Sequence, residues 1–368
     1  MKRRKFLLFL GGSAVLGLGA FRCREKSDRM TRWIWMSSNC AWTDDDWRKH
    51  LDRLHKHGID RVHLCVYTGN KAFFHNTLLT ETPCDVLQRV LPLAKERGMY
   101  VHAWIWVLHN NSKQLIERHP DWYVINRLGK STVTDPPYVP DYRWLCPSKP
   151  QVRDYLLKVV RELGAYEDLA GIHLDYIRFP DVILPVGLQP KYHLTQTEEL
   201  PQFDYCYCPT CRQQFKKKTG IDPLQLKQPA KNRQWVQFRE DQITNLVKLL
   251  AAEIRKFGKS PTAAVFPTPS LARKLVRQNW PQWPLDAIFP MMYHGFYNEP
   301  VQWLEKATHQ DLQAIPANEK LYPGLFLPHF TPKELKLGLE LIRRAGAPGF
   351  ALFDYGLLTK KPEFWQIL

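Results

Sequence analysis

The residues best suited to chemistry lie in one short run, Gly171-Ile172-His173-Leu174-Asp175-Tyr176-Ile177-Arg178-Phe179-Pro180. Its alternation is that of a β-strand, whose successive side chains leave opposite faces. Ile172 and Leu174 then share one face, His173 and Asp175 the other. An acid closing an apolar strand must be hydrogen-bonded or put to use, because a buried, unpaired carboxylate is costly. Arg178 is either its partner or a contact for substrate, and a structural Asp–Arg pair is the plainer reading. The same period sets His102, Trp104 and Trp106 on one face of an upstream run. Trp33, Trp35, Tyr293, His294, Phe296 and Tyr297 add aromatic and imidazole surface. Flat apolar rings flanked by hydrogen-bonding groups suit the C–H faces and hydroxyls of sugars, although part of the 13 tryptophans must simply fill a core.

Alternating strands and helices are needed to hold these residues. Strands are expected at 32–37, 61–67, 99–108, 171–179, 262–266, 287–293, 321–327 and 350–355. Thr43 is read as the N-cap of a helix that buries Trp47, Leu51 and Leu54 and stops near Gly58. Further helices are expected at 84–97, 150–163, 212–218, 234–257, 301–309 and 332–345. Eight βα units predict a closed (β/α)8 barrel with a long cysteine-containing insertion, residues 180–231, after the fourth strand. An open doubly wound sheet is disfavoured, since no glycine-rich phosphate loop follows the first strand. In such a barrel the chemistry sits where strands end.

Two stretches, Pro147-Ser148-Lys149-Pro150-Gln151-Val152-Arg153-Asp154-Tyr155-Leu156 and the Asp175 run, resemble the bacterial glycosyl-hydrolase-like 10 family. The resemblance continues in Phe289-Pro290-Met291-Met292-Tyr293 and Gly349-Phe350-Ala351-Leu352-Phe353-Asp354-Tyr355, and spans residues 31–360. It implies a barrel glycosidase, exported or surface-associated, acting on polysaccharide such as cell-wall glycan, with Asp175 as a catalytic carboxylate. The strand-one run Trp33-Ile34-Trp35 departs from the family's usual opening.

Glycoside hydrolysis ordinarily uses two carboxyl groups. Asp354, ending the eighth strand, is the second candidate, with helix capping as its alternative role. Glu299, Asp135 and Asp141 are loop candidates, whereas Asp60 and Asp286 stand at strand starts. A substrate carrying an N-acetyl group can supply its own nucleophile, and then one acid suffices. Substrate contacts are expected from His102, Trp104, Trp106, His173, Tyr176, Arg178, Tyr293 and His294.

Of the eight cysteines, Cys206, Cys208 and Cys211 cluster. A structural zinc there needs a fourth ligand, for which His193 or a distant cysteine competes. A disulfide plus a free thiol is the equal alternative. No cofactor and no catalytic metal is assigned, and the scattered Cys40, Cys65, Cys84 and Cys146 are read as free thiols.

The 368 residues carry a formal charge of +16, of which +6 falls in residues 1–26, leaving +10 for residues 27–368. Lys2-Arg3-Arg4-Lys5-Phe6-Leu7-Leu8 followed by a glycine-rich apolar stretch reads as a twin-arginine-type export signal, placing a barrel of residues 27–368 in the periplasm or outside the cell. Membrane contact is expected only through that signal, cleaved or retained as an anchor. The remaining basic residues are scattered, so neither a nucleic-acid partner nor a protein partner is expected. Two rival readings stand beside the glycosidase. One is a barrel that binds glycan without cleaving it. The other, weaker, is a metal-dependent carbohydrate deacetylase with His102, His173 and Asp175 as ligands.

Overall fold

The computed structural model describes residues 30–368, so the stretch expected to be an export signal falls outside the described residues. Nine parallel strands form one sheet: β1 (Thr31–Ser37), β2 (Arg61–Tyr67), β3 (Tyr100–Trp106), β4 (Gly171–Asp175), β5 (Ser260–Val265), β6 (Ala287–Pro290), β7 (Lys320–Leu321), β8 (Gly324–Phe326) and β9 (Gly349–Phe353). The helices are α1 (Asp44–Lys56), α2 (Val86–Lys95), α3 (Lys113–Arg118), α4 (Pro150–Gly164), α5 (Pro209–Thr219), α6 (Arg233–Lys256), α7 (Pro269–Val276), α8 (Trp303–Ala314), α9 (Pro332–Arg344), α10 (Tyr355–Thr359) and α11 (Pro362–Trp365).

The expected seventh strand is two short pieces. Pro323 has no N–H for a ladder and sits between them. β7 pairs with β6 and β8 pairs with β9. The Tyr322 N–H donates to Ile288 O at 2.9 Å, the Ala351 N–H donates to Pro323 O at 2.9 Å, and Met291 bridges to Gly324. The interrupted strand thereby closes the cylinder, giving the (β/α)8 barrel expected from the pattern. The third and fourth strands are shorter than expected, ending at Trp106 and Asp175.

Binary patterning explains why the layers separate. Ile34, Val62, Leu64, Ile172, Leu174, Ile288 and Leu352 face outward and are sealed under the helices. Inward positions form a second cluster around Trp33, Trp35, Trp104, Phe289 and Tyr322. Thr43 caps α1 as expected, in a capping box with Asp46. The reading of Cys40 and Cys84 as free thiols is corrected, because the two are bridged. No helix among the described residues is long and apolar enough to cross a membrane.

The insertion after β4 lies over the strand C-termini. Two buried guanidiniums pin it: Arg239 on α6 pairs with Asp204, and Arg277, just past α7, pairs with Glu199. Burying such charges is tolerable only because each cation finds a carboxylate there.

Candidate active site

The site rises from the barrel interior in layers. At its base, Gly171 permits close approach: a Cβ there would come within 2.5 Å of the His102 ring and of Ser260 O. Above it the Trp35 Nε1–H donates to His173 Nε2 at 3.1 Å, which fixes the tautomer with the proton on Nδ1. His173 Nδ1–H then donates to Thr262 Oγ1 at 3.0 Å, and the Thr262 hydroxyl is 3.3 Å from His102 Nδ1. The His63 ring stacks on His173 with centroids 3.8 Å apart. All three histidines are buried. Desolvation holds His63 and His173 well below the usual imidazole value and brings His102 down to about 3, so the stack is neutral.

This arrangement corrects the expected roles of His102 and His173. They share the expected face with Asp175, yet they form the floor of the barrel instead of meeting substrate. Both nitrogens of His173 are already engaged, and His102 and Trp33 border a separate cavity at the strand N-termini. The histidines and Asp175 do not converge as a ligand set: the metal-competent grouping among the described residues lies elsewhere.

One layer higher stands Asp175, at the end of β4 and opposite Trp106 in the register. Its Oδ2 accepts from Trp104 Nε1–H at 2.9 Å and its Oδ1 from the Tyr176 N–H at 2.7 Å. Tyr176 has φ of 50°, a left-handed conformation that turns the chain sharply off the strand. Burial pushes the Asp175 carboxyl up to about 6, while the Tyr176 and Trp104 hydrogen bonds and the Arg178 charge hold it back. A carboxyl titrating there can give up a proton near neutrality.

A cleft of about 1060 Å³, including its open mouth, lies over Asp175. Trp35, Trp104, Trp106, Tyr293, Phe296, Tyr297 and Phe353 line it, with Phe353 packed against Trp35 and Trp104 at ring-centroid distances of 5.9 and 6.1 Å. Tyr138 and Tyr142 of the long third loop, with Tyr192 of the insertion, complete the wall. Of the expected contacts, Trp104, Trp106, Tyr176, Arg178 and Tyr293 line this cleft. His294 does not: it faces a separate groove with His329 and Glu334, because the turn after β6 points it away from Tyr293.

The cleft has two carboxylates among the described residues, Asp175 and Asp181. Arg178 pairs with Asp181 at 3.1 Å, not with Asp175, and its Nη2–H donates to the Tyr142 hydroxyl at 2.9 Å. Tyr142 in turn donates to Asp181 Oδ2, and Tyr138 donates to Asp181 O at 2.6 Å. Asp181 was not anticipated, although Arg178-x-x-Asp181 across a proline turn was its available signal. Asp354 caps α10, its Oδ1 accepting from the Leu357 N–H at 2.9 Å, and is not part of the cleft lining. Its expected alternative role is the one the geometry gives it. Asp135, Asp141 and Glu299 are exposed and also lie outside the lining.

Comparisons with known proteins agree with this geometry. The sequence profile of the glycosyl hydrolase-like 10 family matches residues 33–184, from β1 through Asp175 and Asp181. No curated protein sequence matches the chain. The fold is similar to that of the PgaB (BpsB) glycoside hydrolase domain from Bordetella bronchiseptica, with a TM-score of 0.70, 13% identity, and coverage of 92% of this chain and 98% of that one. It is also similar to a β-galactosidase from the Antarctic haloarchaeon Halorubrum lacusprofundi, with a TM-score of 0.64, 14% identity, and coverage of 89% of this chain but 52% of that one. The catalytic domain of β-amylase from Paenibacillus polymyxa aligns with a TM-score of 0.58 at 11% identity, covering 93% and 98% of the two chains. The chain thus spans about half the length of that β-galactosidase.

Proposed function

Because residues 33–184 match the profile of the glycosyl hydrolase-like 10 family, we propose that the chain is an exported glycoside hydrolase cleaving O-glycosidic bonds in a polysaccharide, with Asp175 as its proton-donating carboxyl. The observation that carries this reading is a carboxyl raised to about 6 beneath an aromatic cleft, at the end of a barrel strand. Protonated Asp175 delivers its proton to the leaving oxygen as the glycosidic bond breaks, and the Trp104 and Tyr176 N–H groups receive the carboxylate that results. The tryptophans orient the sugar rings, and Arg178, held by Asp181 and Tyr142, is a fixed, buried cation in the cleft wall.

Asp181 is already committed to Arg178 and Tyr142, which leaves Asp175, among the described residues, as the cleft carboxyl without an ion-pair partner. That count favours a glycan of 2-acetamido sugars, whose own acetamido oxygen attacks the anomeric carbon while Asp175 assists departure. Cell-wall glycan is one polymer of this kind. Export is supported by the order of charged and apolar residues in 1–26 and by the Cys40–Cys84 bridge, a bond that persists in oxidising compartments.

The test is release of reducing ends from a panel of bacterial and plant polysaccharides, N-acetylated and de-N-acetylated. Asp175→Asn is expected to lower hydrolysis by about 10²-fold to 10⁴-fold while the chain remains folded and still binds glycan. Undiminished turnover by that variant removes the assignment. Glycan binding by the wild type with no cleavage of any polymer in the panel establishes the binding-module reading instead.

A further inference from the structure

Four buried cysteines meet where the third loop touches the insertion. Cys206, Cys208 and Cys211 are joined by Cys146, at the end of the third loop, and the four sulfurs lie within 4.8 Å of one another. Cys146 Sγ is 3.7 Å from Cys208 Sγ and 3.6 Å from Cys211 Sγ. Those separations are far beyond a disulfide bond of about 2.0 Å. They match the edge of a tetrahedron whose corners stand about 2.3 Å from a central ion, which is about 3.8 Å. A polynuclear iron–sulfur cluster needs a wider cage.

The surroundings suit thiolates. The N–H groups of Ile125 and Cys208 each donate to Cys206 Sγ at 3.5 Å. Ser148 Oγ is 3.1 Å from Cys211 Sγ, where its hydroxyl can turn to donate. Cys208 is the N-cap and Cys211 lies in the first turn of the 11-residue α5, the end at which the peptide dipoles favour negative charge. Arg153 is near enough to feel the charge of Cys146 and Cys211.

We propose that Cys146, Cys206, Cys208 and Cys211 hold one structural zinc ion that clamps the third loop to the insertion and so fixes the tyrosine wall of the cleft. Binding displaces four thiol protons and leaves a tetrathiolate site of net charge −2, which the N–H donors and Arg153 offset. All four coordination positions are protein sulfurs, so the site is closed to water and has no catalytic part. The clamp lies between segments already in register: Asn126 bridges to Tyr205, and Tyr138 stacks on Phe203 with centroids 4.5 Å apart. It holds Trp144, two residues from Cys146, under the Arg178 guanidinium at 4.8 Å. The inference is independent of the glycosidase reading.

The test begins with the full chain purified without chelator and analysed for metals. About one zinc per chain is expected, released by a mercurial in step with loss of four thiols. Exchange into cobalt should give the intense visible and near-ultraviolet absorption of a tetrahedral tetrathiolate. Cys208→Ser should lose zinc and the cobalt spectrum, whereas Cys65→Ser, a lone buried thiol, should keep both. Chain isolated free of metal that also refuses cobalt overturns the proposal, even if Cys208→Ser proves insoluble. So do a single bound iron in place of zinc, and a disulfide among these four residues in the non-reduced peptide map.

Discussion

Asp175 titrates near 6 because the cleft denies its charge water, while two N–H donors restrain the rise. If its protonated form is the working one, kcat/KM falls on the alkaline side with a midpoint near pH 6. Replacing Trp104 with phenylalanine removes a donor to the carboxylate form, so the carboxyl should titrate higher and the alkaline limb should move to higher pH. A pH–rate profile of Trp104→Phe that keeps the wild-type limb argues against Asp175 as the acid. The same group bears on stability. Its folded-state value lies above that of an exposed aspartate, so protonation favours the fold. The contribution is complete below about pH 4 and lost as pH rises through about 6. At neutral pH the cost is at most about 3 kcal/mol, trimmed by solvent at the cleft mouth. Asp175→Asn, an uncharged isostere, should therefore raise Tm at pH 7 and change it little at pH 4. Thermal unfolding at the two pH values reads this directly, and equal shifts count against a buried charge.

At the scale of elements, Asp354 separates capping from catalysis. Asparagine is as good an N-cap as aspartate, and alanine is not. Asp354→Asn should leave both activity and Tm near wild type, whereas Asp354→Ala should cost about 1 kcal/mol of stability and leave kcat intact. A large loss of kcat in the asparagine variant alone would return Asp354 to the chemistry. The helices were legible because their signals are local: the Thr43 N-cap, the Trp47, Leu51 and Leu54 stripe, and the stop near Gly58 all appear in the structure. Strand four was legible as to its faces, because the two-residue period survives in the barrel. The period does not report depth. His173 and Asp175 are two residues apart on one face, yet one is sealed in the floor and the other forms the base of the cleft. Depth follows from the tilt and register of neighbouring strands, which no single run of sequence contains. Asp181, Tyr138 and Tyr142 escaped notice because loops carry no periodicity, and their meeting depends on two segments about 40 residues apart closing over the same strand. A distant cysteine was one of the expected fourth ligands, but spacing could not select Cys146, which lies 60 residues before Cys206.

For the whole molecule, the weakest part of the cylinder is where it closes. Neighbouring strands β2 and β3 run seven residues each, but β7 and β8 supply two and three, separated by Tyr322 and Pro323. Ladder hydrogen bonds are correspondingly few along that joint. Amides of residues 321–326 should exchange with deuterium before those of β2 and β3, and uniform protection around the ring would contradict this. Phe326 ends the joint and packs against Tyr293 and Phe353, both of which line the cleft, with centroids 5.1 and 6.0 Å away. A slackening there would loosen the Tyr293 and Phe353 side of the cleft first. The broken stave thus gives the cask one side that can yield to what fills it.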